Sequence, residues 1–175
     1  MKKILILFIV CMNMISVTEA HSIEDIRKHY KLAIYDAAVA NKLSKKLKNI
    51  QDEDALLLAY KASVEALKAK HAWSPYTKLQ QMKAFEKLMN EAVQRKSEDL
   101  EIRFLRYSIQ SNTPVFLGFS VNMNEDKQKI VELFLKKKFN THDKDLIQEV
   151  YDFMMSTNAL TLKEQQKMEQ ILKSI

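Results

Sequence analysis

One glycine and two prolines in 175 residues leave this chain almost no material for tight hairpins or phosphate-cradling loops,. What fills the space instead is Ala, Leu, Lys, Glu, Gln and Met, the good helix formers,. Apolar residues recur at helical spacing rather than alternating, so the expectation is an all-α protein.

The pattern divides into about seven helices,. Ile26, Tyr30, Ala33, Ile34, Ala37 and Ala38 mark one face of a first helix from Ile23. Leu57, Ala59, Tyr60, Val64 and Leu67 mark a second after Asp54. Ser74-Pro75 starts a third, serine as N-cap and proline in the first turn, where its missing N–H costs nothing,. Ser97 is placed to cap a fourth, Asn124 a fifth, and Asp143 or Thr141 a sixth. Thr161 with Glu164 has the spacing of a capping box for the last,. Short connections imply antiparallel neighbours, hence a stack of helix hairpins beginning near residues 23, 74 and 124, with an irregular bundle as the alternative,.

The first twenty residues read differently. MKKILILFIVCMNMISVTEA has a basic start at Lys2 and Lys3, an apolar run from Ile4 to Met12, and Thr18 and Ala20 at the −3 and −1 positions. That is the pattern of a secretory signal peptide, with cleavage expected after Ala20. A membrane span needs about 20 mostly apolar residues, and Asn13 and Glu19 interrupt this run. Residues 21–175 are then one all-helical domain, periplasmic or secreted. The single cysteine, Cys11, leaves with the leader, so no disulfide would support the domain in an oxidising compartment and stability rests on a packed core.

Two resemblances add to this. "KAFEKLMNEAVQRKSEDLEIRF" resembles the second helix of a tetratricopeptide unit running into the next, although Lys96-Ser97 stands where that repeat carries its proline. "AYKASVEALKAK", "SPYTKLQQMKAFEKLMNEAV" and "EIRFLRYSIQSNTPVFLGF" together resemble a family of uncharacterised exported helical proteins of Bacteroidota-type bacteria, over roughly Tyr30 to Leu135. That family has no assigned activity, so the resemblance implies fold and export and no chemistry.

The stretch from Glu101 to Phe119 holds the best candidate binding residues. On a helix, Arg103, Arg106 and Gln110 share one face,. Two guanidinium groups a turn apart, with Gln110 and Asn112 beyond them, could grip a carboxylate or phosphate through bidentate hydrogen bonds. The alternative is structural: Asp99 precedes Arg103 by four residues, and Arg106 could pair with an acid on a neighbouring helix,. Pro114 stops the helix, and Gly118 supplies a close approach or a positive φ,.

No catalytic constellation accompanies them. The chain has no Gly-x-Ser-x-Gly elbow and no phosphate loop,. Its acidic pairs, Glu24-Asp25, Glu98-Asp99 and Glu125-Asp126, sit where helices begin and the dipole favours negative charge,. The expectation is a non-enzyme without cofactor or metal. The sole metal idea is His21, whose free amine and imidazole after cleavage would form a copper(II) chelate with His29 as a distant second ligand,.

A net charge of +6 suits an anionic partner,. "KLSKKLKNI" and "KIVELFLKKKF" are basic and amphipathic, as membrane-surface helices are, although core packing demands the same apolar faces,. The expected function is therefore an exported module that binds another envelope protein or peptide in a groove between hairpins. A basic protein of anionic lipid or glycolipid surfaces is the alternative, and no nucleic-acid partner is expected.

Overall fold

A computed structural model describes residues 22–48 and 54–175; the expected leader, the expected cleavage point and His21 lie outside the described residues. The described residues form eight α-helices: α1 (Ile23–Ala33), α2 (Ala37–Lys48), α3 (Ala55–His71), α4 (Pro75–Arg95), α5 (Leu100–Ser111), α6 (Met123–Leu135), α7 (Lys144–Ser156) and α8 (Leu162–Leu172). A 3-10 turn, Val115–Leu117, lies between α5 and α6. No strand occurs among the described residues.

The eighth helix comes from a break inside the first expected one. Ile34 to Asp36 turn the chain, and Asp36 Oδ1 accepts from the amides of Ala38 and Val39 at 2.7 and 3.2 Å. Ala37 and Ala38, expected on the inner face, are exposed there. A short acceptor side chain offers the backbone an alternative to continuing the helix, and here it prevails over periodicity. The break changes every later pairing. The hairpins are α1/α2, α3/α4, α5/α6 and α7/α8, starting at Ile23, Ala55, Leu100 and Lys144.

Other ends match their caps more closely. Asp54 accepts from Leu56 and Leu57, Ser74 from Thr77 ahead of Pro75, and Thr161 with Glu164 closes a capping box. The cap of α5 is Asp99, which accepts from Glu101 and Ile102, rather than Ser97. α6 starts at Met123 with Asn122 as cap residue, two residues ahead of the expected Asn124. Gly118 ends the 3-10 turn at φ 78°, and a Cβ there would meet nothing within 4 Å. The glycine serves a left-handed backbone, not a close approach.

The odd-numbered helices run parallel. His71 Nε2 lies 2.9 Å from the Ala33 carbonyl, and Lys70 donates to that of Ile34, so α3 ends beside the end of α1. Arg27 reaches Asp143 and Lys31 reaches Glu149, which aligns α7 with α1. Phe104 and Tyr107 of α5 each meet Phe153 of α7 edge-on, with ring centroids 5.5 and 6.1 Å apart. All four turns within hairpins therefore fall at one end of the molecule.

α5 is the wall between two apolar cores. Ile102 and Leu105 face a core built around Leu58, Tyr60, Phe85 and Met89 of α3 and α4. Leu100, Phe104 and Tyr107 face a second, with Phe134 of α6, Ile147 and Met154 of α7, and Met168 of α8. Small residues on α3, Ala59, Ala62 and Ala66, let α4 approach closely. The basic segments use their apolar faces here too: Leu43 and Leu47 join the first core, and Ile130, Val131, Leu133 and Phe134 the second. Among the described residues no helix is long and apolar enough to cross a membrane.

Candidate functional site

A helix buried on both sides must bond every polar side chain it carries. α5 carries Glu101, Arg103, Arg106 and Gln110, all buried, and each finds partners within the chain.

Arg103 and Arg106, 4% exposed, point to the α6 side. Arg106 forks onto the fully buried Asp126, Nε to Oδ2 at 2.6 Å and Nη2 to Oδ1 at 2.7 Å. Arg103 Nη1 donates to Asp126 Oδ1 at 2.9 Å and to Glu125 at 2.5 Å, and its Nε donates to the Ser97 carbonyl. Arg106 Nη1 reaches Asn90 of α4 at 3.1 Å. Burial works against the charge on Arg103, but the bonds to Asp126 and Glu125 prevail and hold its pKa above the ordinary value,. Arg103 in turn keeps Glu125 below the usual carboxylate range. These guanidinium groups tie α5 to α4 and α6 and do not present an open strip. The sequence shows Glu125-Asp126 as a helix-start pair; that the fold would seat Asp126 between two arginines has no local signal.

Gln110 is buried as well. Its amide is exchanged with Asn122, Nε2 to Oδ1 at 3.4 Å and Asn122 N–H to Oε1 at 3.2 Å, and its carbonyl accepts from Ser120. It fixes the α5–α6 connection. Asn112 is exposed, donates to the Ser108 carbonyl at 2.7 Å, and lies on the margin of a groove.

That groove, on the face of α5 opposite the arginine lock, has a volume of about 1110 Å³. α1, α3, α5 and α7 form its walls, with the start of α4 and the Pro114–Leu117 stretch at one mouth. Its deep end holds a polar knot that the sequence reading did not find. Arg27 Nε and Nη2 donate to the two oxygens of buried Glu101 at 2.7 and 2.6 Å, and Nη2 also reaches Asp143 at 3.1 Å. Tyr60 O–H donates to Glu101 Oε1 at 2.6 Å. Desolvation raises the Tyr60 pKa above its ordinary value, and the Glu101 charge adds to this. The bonds to Glu101 likewise raise that of Arg27, against burial. Arg27 of α1 and Tyr60 of α3 thus meet at the Glu101 carboxylate of α5, and Arg27 extends the knot to Asp143, the cap residue of α7. Tyr30 packs edge-on against Tyr60, centroids 5.5 Å apart.

Toward the mouth the groove changes character. Ile34, Leu67, Met82, Leu105, Ile109 and Leu117 make an apolar floor, and Lys70 and Lys78 stand over it. Lys70 is partly spent on the Ile34 carbonyl; Lys78 has no acidic partner among the described residues. No group of three or more His, Cys, Asp or Glu placed to hold a metal occurs among them either. Searches of protein-family models, curated proteins and solved structures find no match to this chain.

Proposed function

We propose that this is an exported binding module of the cell envelope. Its groove holds a segment of another envelope protein that is apolar and carries a carboxylate. The observation that carries the reading is the mouth of the groove: an apolar floor beneath Lys78 and Lys70, where Ile34, Ile109 and Leu117 keep some exposure and Asn112 stands beside them. Ligand sites have this composition, mostly apolar with a few placed polar groups. A lysine over apolar surface gives a carboxylate a partner without requiring full burial of either charge.

The walls favour a preformed site. Arg27, Glu101 and Tyr60 lock α1, α3 and α5 together at the deep end, and Lys31–Glu149 joins α1 to α7 at 2.7 Å. Little ordering is then lost on binding. The export half of the proposal rests on the signal-like pattern of the first twenty residues,.

The test is capture from the native envelope with three versions of the protein. They are the wild type, a Lys78→Glu, Asn112→Lys groove variant, and a Lys87→Glu variant on exposed α4 surface away from the groove. Circular dichroism first establishes equal folding. A partner retained by the wild type and by Lys87→Glu, but lost by the groove variant, supports the proposal. Equal recovery with all three refutes the groove.

A further inference from the structure

The turn-bearing end of the molecule has a composition the rest of the surface lacks. Trp73, the chain's one tryptophan, is 99% exposed in the α3–α4 turn. Tyr35 in the α1–α2 turn and Phe116 in the α5–α6 connection are each 86% exposed. Tyr76, Val115 and Leu162 join them. Every exposed large apolar side chain among the described residues lies in, or within two helical turns of, a connection inside a hairpin. The odd-numbered helices run parallel, so these positions face one way. The opposite end carries Lys45, Lys46 and Lys48 closing α2, and Arg95, Lys96 and the Lys136–Lys138 run closing α4 and α6.

The charge at the apolar end is lopsided. Lys70, Lys78 and Lys163 are exposed there. Its nearest acidic groups are already engaged: Asp36 and Glu164 accept hydrogen bonds from helix-start amides, Glu125 from Arg103 and Asp152 from Gln148. Lys70 also stands 5.8 Å over the Tyr35 ring. From Leu67 to Phe85 and from Ile102 to Asn124 the sequence has no acidic residue.

We propose that this end seats on the headgroup boundary of an anionic lipid bilayer. Trp73, Tyr76, Val115 and Phe116 enter the boundary, and Lys70, Lys78 and Lys163 meet the lipid phosphates. Tryptophan and tyrosine rings, apolar in body and polar at the tip, suit that boundary. The apolar residues project singly from separate turns and do not line a groove, a form that fits a deformable medium better than a rigid helix. Cationic side chains around an apolar tip supply complementarity to anionic lipid, with the salt dependence of surface charge. Attachment is peripheral, and it leaves the groove mouth beside the membrane. The proposal shares Lys70 and Lys78 with the groove, but Trp73, Tyr76, Val115 and Phe116 lie outside the groove lining and vesicles contain no groove ligand, so either can fail alone.

Trp73 reports on the proposal directly. The full chain is mixed with vesicles of phosphatidylcholine alone or with phosphatidylglycerol added, and tryptophan emission and co-sedimentation are followed together. The expected result is a blue shift and sedimentation with the anionic vesicles, both weakened by salt. Val115→Ser with Phe116→Ser should weaken the partitioning roughly tenfold or more, and Lys70→Gln with Lys78→Gln should remove the preference for anionic lipid. These sites are exposed, so folding is preserved, as circular dichroism verifies. Sedimentation with solvent-like Trp73 emission would place the contact elsewhere, the leader included, and overturn the proposal. So would a lipid-independent shift that grows with protein concentration, which would assign this end to a second copy.

Discussion

Asp126→Asn changes one oxygen to an amide nitrogen and keeps the shape of a fully buried side chain. The wild-type carboxylate accepts three guanidinium bonds, at 2.6, 2.7 and 2.9 Å, from Arg106 and Arg103. In the variant one acceptor becomes a donor facing a donor, and two buried cations lose their counter-charge. Breaking a buried pair from one side costs about 3–5 kcal/mol. Arg103 keeps Glu125 and the Ser97 carbonyl, and Arg106 keeps Asn90. The lower part of that range, about 3–4 kcal/mol, therefore applies. For a domain of this size about 2–4 °C of Tm follows each kcal/mol, so the midpoint should fall by roughly 6–16 °C. Urea titration followed by circular dichroism at helical wavelengths measures the free energy, and a thermal scan the midpoint. Replacing the whole triad, Arg103→Met, Arg106→Met and Asp126→Leu, should recover most of the loss, since well-packed apolar side chains replace buried ion pairs at little net cost. A Tm within about 2 °C of wild type for Asp126→Asn, outside the range just derived, would refute the lock.

Four further outcomes follow from the same geometry. Tyr60 has its pKa raised by burial beside Glu101, so its contribution is complete below the unfolded value of 10.0 and is lost as pH rises above it,. Alkaline unfolding should therefore set in earlier for wild type than expected from Tyr60→Phe, whose urea midpoint should change less between pH 9 and 11. Glu132 is held down to about 2 by Lys136 and then Lys129. Its support is present above the ordinary carboxylate value and lost as pH falls toward about 2. Lying at the surface and partly exposed, this support should also weaken in high salt, which Glu132→Gln unfolding curves at two ionic strengths would record,. Lys137 sits at φ 51° where α6 ends, and Asn158 does the same after α7. Lys137→Gly should raise stability by about 0.5–1 kcal/mol and Asn158→Gly should be close to neutral, because asparagine tolerates the left-handed region.

The helical class was legible because scarcity of glycine and proline and a 3.6-residue period act locally. Caps at Ser74 and Thr161 were legible for the same reason. The break at Asp36 was not. Ile34, Ala37 and Ala38 continue an apolar stripe, and only the competition between one carboxylate and the helix hydrogen bonds decides the matter. Losing that one turn displaced the hairpin assignment along the rest of the chain. The polar residues of α5 show a second limit. Arg103, Arg106 and Gln110 share a helical face, as read, but sequence cannot tell a face turned to solvent from one turned to α6. Glu101 and Arg27 are 74 positions apart, and nothing near either residue signals the other. The groove, too, is a product of packing, and Asn112 alone of the candidate residues lies on its margin.

The measurement that tests the groove most directly is site-specific photocrosslinking in cells. A photoreactive residue is placed at Lys78 or Asn112 on the groove mouth, and in a separate strain at Gln94, exposed on α4 away from it. One discrete adduct is expected, shared by Lys78 and Asn112 and missing at Gln94. Adducts at Gln94 alone, or the same adducts at all three positions, would contradict this expectation.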